Sequence, residues 1–259
     1  MKKLILIISL LMLALAVVGC GGGEKKAADG KAAVKVLKIG TNPDFAPFEF
    51  QDEKTKEYAG FDMDLIRAIG KEMGYKVDIQ NINFDGLIPS LEAGNIDVII
   101  SGMTITEERA QKVAFSAPYY QSGLTIMVKE NNANIKSFKD LEGKTIATQI
   151  GTTGATEAKK VPNANVKEFN SSADTFMELK IGGVEAVIND RPVNDYYLVQ
   201  TGSKDFKALP DVLSAEDYGI AVNKKNTELK EKIDKALKAL KDNGEYDKIY
   251  KKWFGELKK

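Results

Sequence analysis

The feature that most constrains the fold is an alternation of apolar strands and amphipathic helices over residues 36–100. Val36–Thr41 and residues 98–100 are apolar runs rich in β-branched side chains, and residues 60–74 place an apolar side chain at every fourth position before a glycine. Such alternation is typical of a parallel α/β sheet, because parallel strands need a crossover connection. Ligands bind these sheets beyond the carboxyl ends of the strands. The sequence therefore predicts an α/β fold with its functional residues at strand ends.

Residues 97–109 pass from a buried strand through a glycine-containing loop to the start of a helix. Thr106 is a suitable N-cap, and the two glutamates after it suit the positive end of the helix dipole. Arg109 gains nothing from that dipole, so it needs another partner. One interpretation is that Arg109 and the N–H groups of residues 102–104 bind a carboxylate. The other is that Arg109 is solvated or forms a surface ion pair with a neighbouring glutamate.

Charge and histidine content exclude several functional classes. The 259 residues include 37 Lys and Arg, 37 Asp and Glu, and no His. A chain without net charge has no field that attracts nucleic acid. Without His it lacks the commonest metal ligand and the usual general base. We therefore expect no nucleic acid, no metal, no cofactor and no Ser-His-Asp chemistry.

The N-terminal residues resemble an export signal. Residues 1–19 hold two lysines, a long apolar run and then small residues, which is typical of a secretory signal peptide. Cys20, the only cysteine, follows Val-Val-Gly and resembles the bacterial lipobox, in which the cysteine is lipidated; the alternative is a chance cysteine beside an ordinary cleavage site. Residues 20–34 are rich in Gly, Lys and Ala and predict a lipidated flexible tether. We expect an extracytoplasmic protein held at the cell membrane by lipid.

A second α/β unit is predicted after the turn-rich residues 131–134. Residues 144–149 form a strand, and the Gly-Thr-Thr-Gly turn of residues 151–154 leads into a helix, where free N–H groups and hydroxyls suit an anion. Asp190 follows the strand of residues 184–188. Its carboxylate is placed to accept from an ammonium group or to cap the next helix, and the sequence leaves both possibilities open.

The order of these motifs resembles the extracytoplasmic solute-binding proteins of ABC importers for polar amino acids. The segments TNPDFAPFEF, FDGLIPSLEAGNIDVIISGMTITEER and NGEYDKIYKKWFG carry the likeness, which covers about residues 35–257 and is nearest to glutamine-binding proteins. The resemblance implies a two-lobed periplasmic-binding-protein fold of type II, with two parallel-sheet lobes joined by two crossing strands. Lobe 1 would comprise residues 35–121 and 219–259, and lobe 2 residues 122–218. The crossings would lie near 120–123 and 216–219.

The same resemblance implies a site for the two charged groups of an amino acid. Arg109 would bind the α-carboxylate with help from the N–H groups of Thr104 and Thr153, and Asp190 would bind the α-ammonium with the Gly102 carbonyl. The full set of predicted substrate-binding residues is Asn42, Phe45, Phe84, Ser101, Gly102, Met103, Thr104, Arg109, Gln149, Thr152, Thr153 and Asp190.

Four of these residues concern the ligand side chain. Phe45 and Phe84 would sandwich it, although phenylalanines on such loops also simply fill a core. Asn42 stands where many relatives carry Asp, and Gln149 stands where glutamine binders often carry Lys. Because a buried cation needs a carboxylate partner, this neutral pair favours glutamine. Gln149 followed by IGTTG is also similar to arginine binders, so arginine remains the alternative.

The resulting hypothesis is a monomeric, lipid-anchored protein that delivers a polar L-amino acid, with glutamine favoured, to the permease of an ABC importer. Arginine or another basic amino acid is the alternative ligand. A further alternative from another class is an enzyme similar to cyclohexadienyl dehydratase, which shares the fold. The lack of His and of an uncommitted acid near Gln149 argues against this enzyme.

Overall fold

The computed structural model describes residues 35–202 and 204–255. The predicted signal peptide of residues 1–19, the lipid anchor at Cys20 and the tether of residues 20–34 lie outside the described residues. Within the described ranges, no helix is both long enough and apolar enough to cross a membrane.

The described residues form strands and helices in alternation. The strands are β1 (Val36–Thr41), β2 (Asp44–Phe45), β3 (Glu49–Gln51), β4 (Tyr58–Ala59), β5 (Lys76–Asn81), β6 (Val98–Ile99), β7 (Val113–Phe115), β8 (Tyr120–Lys129), β9 (Thr145–Gln149), β10 (Asn165–Phe169), β11 (Ala186–Asp190), β12 (Phe206–Ala208), β13 (Ala215–Tyr218) and β14 (Ala221–Asn223). The α-helices are α1 (Phe61–Met73), α2 (Phe84–Glu92), α3 (Glu107–Lys112), α4 (Thr153–Ala158), α5 (Ser172–Ile181), α6 (Arg191–Thr201), α7 (Thr227–Asp242) and α8 (Glu245–Phe254), and a 3-10 helix covers Phe138–Leu141.

Two mixed sheets organise the chain. The first has the strand order β5-β1-β6-β14-β7, and the second has the order β10-β9-β11-β8-β12. In the first, β1 pairs in parallel with β5 and β6, whereas β14 pairs antiparallel with β6 and β7. In the second, β9 pairs in parallel with β10 and β11, whereas β8 pairs antiparallel with β11 and β12. We call the part built on the first sheet lobe 1 and the part built on the second lobe 2.

This architecture confirms the predicted two-lobed α/β fold, but the sheets are not parallel throughout. Parallel neighbours need a crossover connection, whereas antiparallel neighbours do not. Strand β8 carries the chain from lobe 1 into the second sheet, β14 follows the return along β13, and both run antiparallel to their neighbours. The passages themselves are β8 and β13, which pair antiparallel with Tyr120 opposite Tyr218 and Gly123 opposite Ala215.

The predicted amphipathic helix of residues 60–74 corresponds to α1. Its apolar stripe of Phe61, Leu65 and Ile69 is fully buried, and Gly74 ends the helix in the left-handed conformation. The aromatic residues of α8 pack against the same region, because Tyr250 and Phe254 both meet the Phe61 ring edge-on. The aromatic residues of α8 therefore pack against the core of lobe 1.

Several short elements differ from the sequence prediction. Residues 215–223 form two separate strands, β13 in the passage between the lobes and β14 in the first sheet. The edge strands β7, β10 and β12 were not predicted, since three to five residues carry little periodicity. The segment directly after β1 contains the short strands β2 and β3, which pair antiparallel.

Candidate functional site

A narrow cavity lined by residues of both sheets lies between the two lobes. Every predicted substrate-binding residue except Met103 lines it, and Glu49 joins them. The lining consists of Asn42, Phe45, Glu49, Phe84, Ser101, Gly102, Thr104, Arg109, Gln149, Thr152, Thr153 and Asp190. Residues from the ends of β1, β6, β9 and β11 thus meet at one place, as the strand-end argument predicts.

Arg109 is half-buried at the mouth of this cavity. The Thr106 hydroxyl caps α3 as predicted, by accepting from the Arg109 N–H. The guanidinium donates to the carbonyl oxygens of Thr104 at 2.8 Å and Gly151 at 3.0 Å, and lies 5.3 Å from the Phe84 ring centroid. Within the described residues it forms no ion pair, because Glu108 pairs instead with Lys112. Burial lowers the Arg109 pKa, an effect that nearby carboxylates oppose. The surface-ion-pair interpretation of Arg109 is therefore wrong.

The backbone donors around Arg109 differ from the prediction at one position. The Gly102 N–H is not free, because it donates to the Asp62 carboxylate at 2.8 Å. Thr104 forms an isolated antiparallel bridge with Tyr218 in which its neighbours make the hydrogen bonds, so its own N–H faces away from the paired strand. Thr153 is the first residue of α4, where an N–H has no acceptor within the helix.

Asp190 is buried on the lobe 2 side of the cavity, at the end of β11. It precedes α6, but its side chain does not cap that helix. Instead its Oδ1 accepts from Ser122 Oγ at 2.7 Å and from the Tyr218 hydroxyl at 2.6 Å. Both donors lie on the strands that pass between the lobes. Burial raises the Asp190 pKa to about 6, while these two hydroxyls and Arg109 oppose the shift.

The two predicted aromatic residues line the cavity with most of their rings covered. Phe45 stacks on Phe48 with a centroid separation of 5.9 Å. Gly102, with φ of +50°, lies against Phe45, and a Cβ atom there would come within 2.8 Å of the ring. The backbone of the loop after β6 therefore touches Phe45 only because residue 102 has no side chain.

Asn42 and Gln149 form a hydrogen bond between the lobes. Gln149 Nε2 donates to Asn42 Oδ1 at 2.6 Å and to the Asn170 carbonyl at 3.0 Å, while Gln149 Oε1 accepts from Ser172 Oγ at 3.1 Å. The Gln149 amide thus has a partner for both amide hydrogens and for its oxygen. These two amides hold the lobes together as well as lining the cavity.

Met103 does not line the cavity. Its side chain is 1% exposed and packs in the apolar cluster that includes Phe84, Leu87 and Val113. Successive side chains of an extended segment point to opposite sides, and the Met103 side chain points into the core of lobe 1.

Sequence analysis did not identify the polar groups behind the lining. Glu49 and Asp62 are both fully buried beneath the loop after β6, and Ser122 and Tyr218 hold Asp190. The sequence does carry a signal for the two acids. Glu49 and Asp62 lie in the apolar contexts PFEF and GFDMDL, and Asp and Glu are almost never fully buried unless they are paired.

The fold and cleft are those of a two-lobed solute-binding protein. The chain belongs to the bacterial extracellular solute-binding proteins, family 3, whose family model matches residues 37–256. Over 258 residues it is 34% identical to the arginine-binding extracellular protein ArtP of Bacillus subtilis, covering 98% of both chains. Over 272 residues it is 33% identical to the glutamine-binding protein GlnH of the same organism, covering 99% of this chain and 98% of GlnH.

Solved structures give the same fold. An ancestral arginine-binding protein bound to arginine has 48% identity and a TM-score of 0.83, over 85% of this chain and 98% of that one. An ancestral arginine-binding protein bound to glutamine has 47% identity and a TM-score of 0.80 at the same coverage. An ancestral amino acid-binding protein described as a precursor of cyclohexadienyl dehydratase has 42% identity and a TM-score of 0.79, over 85% and 95% of the two chains.

Proposed function

We propose that this protein binds a polar L-α-amino acid between its lobes and delivers it to an ABC importer. The observation that carries the proposal is that Arg109, half-buried and without an ion-pair partner in the part of the chain that the structure describes, lines the same cavity as the buried Asp190. A guanidinium binds a carboxylate bidentately, and a carboxylate binds an ammonium group. The two residues therefore complement the two charges that every α-amino acid carries.

The backbone completes both ends of this site. The N–H groups of Thr104 and Thr153 lie on the Arg109 side and would share the α-carboxylate. The Gly102 carbonyl would share the α-ammonium with Asp190. The rings of Phe45 and Phe84 would pack on the aliphatic part of the ligand side chain, because both line the cavity.

The ligand side chain is proposed to be long and to end in an amide or a guanidinium. Asn42 and Gln149 are neutral, which favours glutamine. The Asp44 carboxylate lies beside the Gln149 amide, and a cationic side chain would gain from it, which favours arginine. The relatives do not distinguish the two candidate ligands, since arginine-binding and glutamine-binding proteins are similar to this chain at nearly equal identity. We therefore propose both glutamine and arginine as ligands, and their relative affinities are the quantity to measure.

Binding is proposed to accompany closure of the lobes. Lobe 1 would comprise residues 35–121 and 219–259, and lobe 2 residues 122–218. Arg109 belongs to the first and Asp190 to the second, so a ligand that contacts both favours the closed form. We further propose that residues 1–19 are removed, that Cys20 carries the lipid anchor, and that a monomer presents the closed lobes to the permease outside the cytoplasmic membrane. The chain is not proposed as an enzyme.

Calorimetry of residues 21–259, refolded to remove bound ligand, tests this function. Glutamine and arginine are each titrated into the parent protein and the Arg109→Ala variant. Removing one partner of a buried ion pair costs about 3–5 kcal/mol, so we expect the variant to bind the amino acid roughly 100-fold or more weakly. The control is Arg67→Ala, because Arg67 pairs on the surface of α1 with Asp64 and the Tyr58 carbonyl.

Affinity that is unchanged in Arg109→Ala would contradict the site, and absence of binding by any amino acid would contradict the function. Tighter binding of glutamine than arginine would support the neutral-amide argument, and the reverse order would show that the Asp44 charge dominates.

A further inference from the structure

Two carboxyl groups lie side by side beneath the cavity. Glu49 on β3 lines the cavity, and Asp62 is the second residue of α1; both side chains are 0% exposed. Each carboxyl group shifts the pKa of the other, and neither forms an ion pair with a Lys or Arg of the described residues. Two ionised carboxylates buried together repel each other and can only accept hydrogen bonds, so one proton between them stabilises the pair.

The surrounding donors are divided unequally between the two groups. Asp62 Oδ2 accepts from the Gly102 N–H at 2.8 Å and from the Tyr119 hydroxyl at 2.8 Å. Glu49 Oε1 accepts only from Ser101 Oγ, also at 2.8 Å. Each group then has one further oxygen, Asp62 Oδ1 and Glu49 Oε2, that is buried and has no hydrogen-bond partner among the described residues. These are the two oxygens left to share the proton.

The position of Asp62 in its helix also favours its ionised form. It lies in the first turn of the thirteen-residue α1, where the helix dipole stabilises a negative charge. Glu49 lies on a short strand and has no such neighbour. We propose that the pair holds a single proton, that this proton resides on Glu49, and that the ionised Asp62 is the positioning residue for the Gly102 backbone at the floor of the cavity.

The consequence concerns the loop that carries the proposed ammonium acceptor. The Gly102 N–H is fixed on the Asp62 carboxylate, so the peptide that follows β6 has one orientation. Ser101 Oγ donates to Glu49 and accepts from the Asn42 N–H at 3.0 Å, which ties the same loop to β1. Burial raises the pKa of Glu49 well above its usual range and raises that of Asp62 to about 6. The other titratable groups near the pair are Asp44, Tyr119 and Tyr246.

A pair of isosteric variants tests the assignment at pH 8. Glu49→Gln reproduces a protonated Glu49, because its amide donates to Asp62 and its oxygen accepts from Ser101. Asp62→Asn keeps an oxygen for the Gly102 N–H and the Tyr119 hydroxyl, but it removes the negative charge that strengthens both hydrogen bonds. We expect Asp62→Asn to weaken amino acid binding at least about tenfold more than Glu49→Gln does, and to lower the melting temperature further. Glu92→Gln and Asp211→Asn, at exposed positions, are the controls.

Infrared spectroscopy locates the proton independently of ligand binding. The carbonyl band of a protonated carboxylic acid should be present in the parent protein at pH 8, absent in Glu49→Gln and present in the controls. Loss of the band in Asp62→Asn with retention in Glu49→Gln would place the proton on Asp62 and overturn the proposal, and equal effects of both substitutions on affinity would overturn the positioning role. The affinity measurement rests on the proposed function, whereas the infrared band does not. If Asp62→Asn fails to fold, the band in Glu49→Gln still decides the assignment.

Discussion

At the scale of single residues, the proposed binding groups Arg109 and Asp190 share one property. Both are charged and shielded from solvent, and neither forms an ion pair among the described residues. Arg109 donates to two carbonyl groups and retains further N–H donors, while Asp190 has one oxygen engaged by two hydroxyls. A surface arginine or aspartate would be solvated or paired and would contribute little. Here each charge is held in place by neutral groups, which leaves it available to an oppositely charged ligand.

Asp190 predicts a pH dependence of binding. Its pKa is about 6, raised by burial, and only its ionised form attracts an ammonium group. Affinity should therefore be full above pH 7 and fall as the pH drops through 6. At pH 8, Asp190→Asn should bind the amino acid about 1.5–3 kcal/mol more weakly. Calorimetry from pH 5 to 8 measures both effects.

The control for this experiment is Asp195→Asn, since Asp195 is an exposed partner of Arg191 on the same helix. It should keep the affinity and the pH profile of the parent protein. Asp190→Asn should lack the decrease in affinity that protonation of Asp190 causes as the pH drops through 6. An Asp190→Asn variant with the parent affinity at pH 8 would show that the ammonium group binds elsewhere.

At the scale of secondary-structure elements, the short strand β2 of lobe 1 packs against α5 of lobe 2. Asp44 on β2 lies close to the first turn of α5, where the helix dipole is positive and the Ser172 N–H lowers the Asp44 pKa. Burial and then the Asp174 charge nevertheless raise the Asp44 pKa to about 7. The two lobes thus meet through a carboxylate whose ionised form is disfavoured.

Because of this contact, we expect the free energy of unfolding to decrease as the pH rises from mildly acidic to mildly basic values. A carboxyl pKa raised on folding gives stability that is present below its usual value of 3.8 and lost as the pH rises through about 7. Asp44→Asn keeps the size of the side chain and removes the charge. We expect it to raise the free energy of unfolding by about 1 kcal/mol at pH 8, and by less at pH 5.

Urea denaturation at the two pH values measures this effect, with Asp211→Asn as an exposed control. The same variant separates the two candidate ligands. Arginine should bind it more weakly than the parent protein if its guanidinium gains from Asp44, whereas glutamine should not. A stability difference between parent and Asp44→Asn that is the same at pH 5 and pH 8 would contradict the assignment.

At the scale of the whole molecule, the lobes are joined by β8 and β13 and meet across the cavity through a few polar contacts. The buried Asn42–Gln149 hydrogen bond and the bond from Arg109 to the Gly151 carbonyl are two of them. Such contacts form only when the lobes approach, so their free energy adds to that of ligand binding. A few contacts of this kind favour closure without making it permanent.

A double-mutant cycle on Asn42 and Gln149 tests this coupling between closure and affinity. Each single alanine variant leaves a buried amide without its partner, so we expect each to weaken amino acid binding by about 1–3 kcal/mol. The double variant should lose less than the sum of the two, with a coupling energy of about 0.5–3 kcal/mol. Strictly additive losses in calorimetry would mean that the two amides contribute to binding independently.

The elements and the place where they meet follow from the amino-acid sequence. Periodicity located α1 and the first strand, because the spacing of apolar residues depends on local geometry alone. Family resemblance and the strand-end rule together placed Arg109, Asp190 and Gln149 around one cavity. Such predictions succeed where the backbone conformation, rather than the surroundings, decides which residues share a face.

Only the tertiary structure decided how the polar groups are partnered. It showed that Asp62 occupies the Gly102 N–H, that Met103 is in the core, and that Gln149 binds Asn42. The first and last of these contacts join residues 40 and 107 positions apart. Hydrogen-bond partners at such separations depend on distances of a few tenths of an ångström, which are set when both lobes have folded and packed.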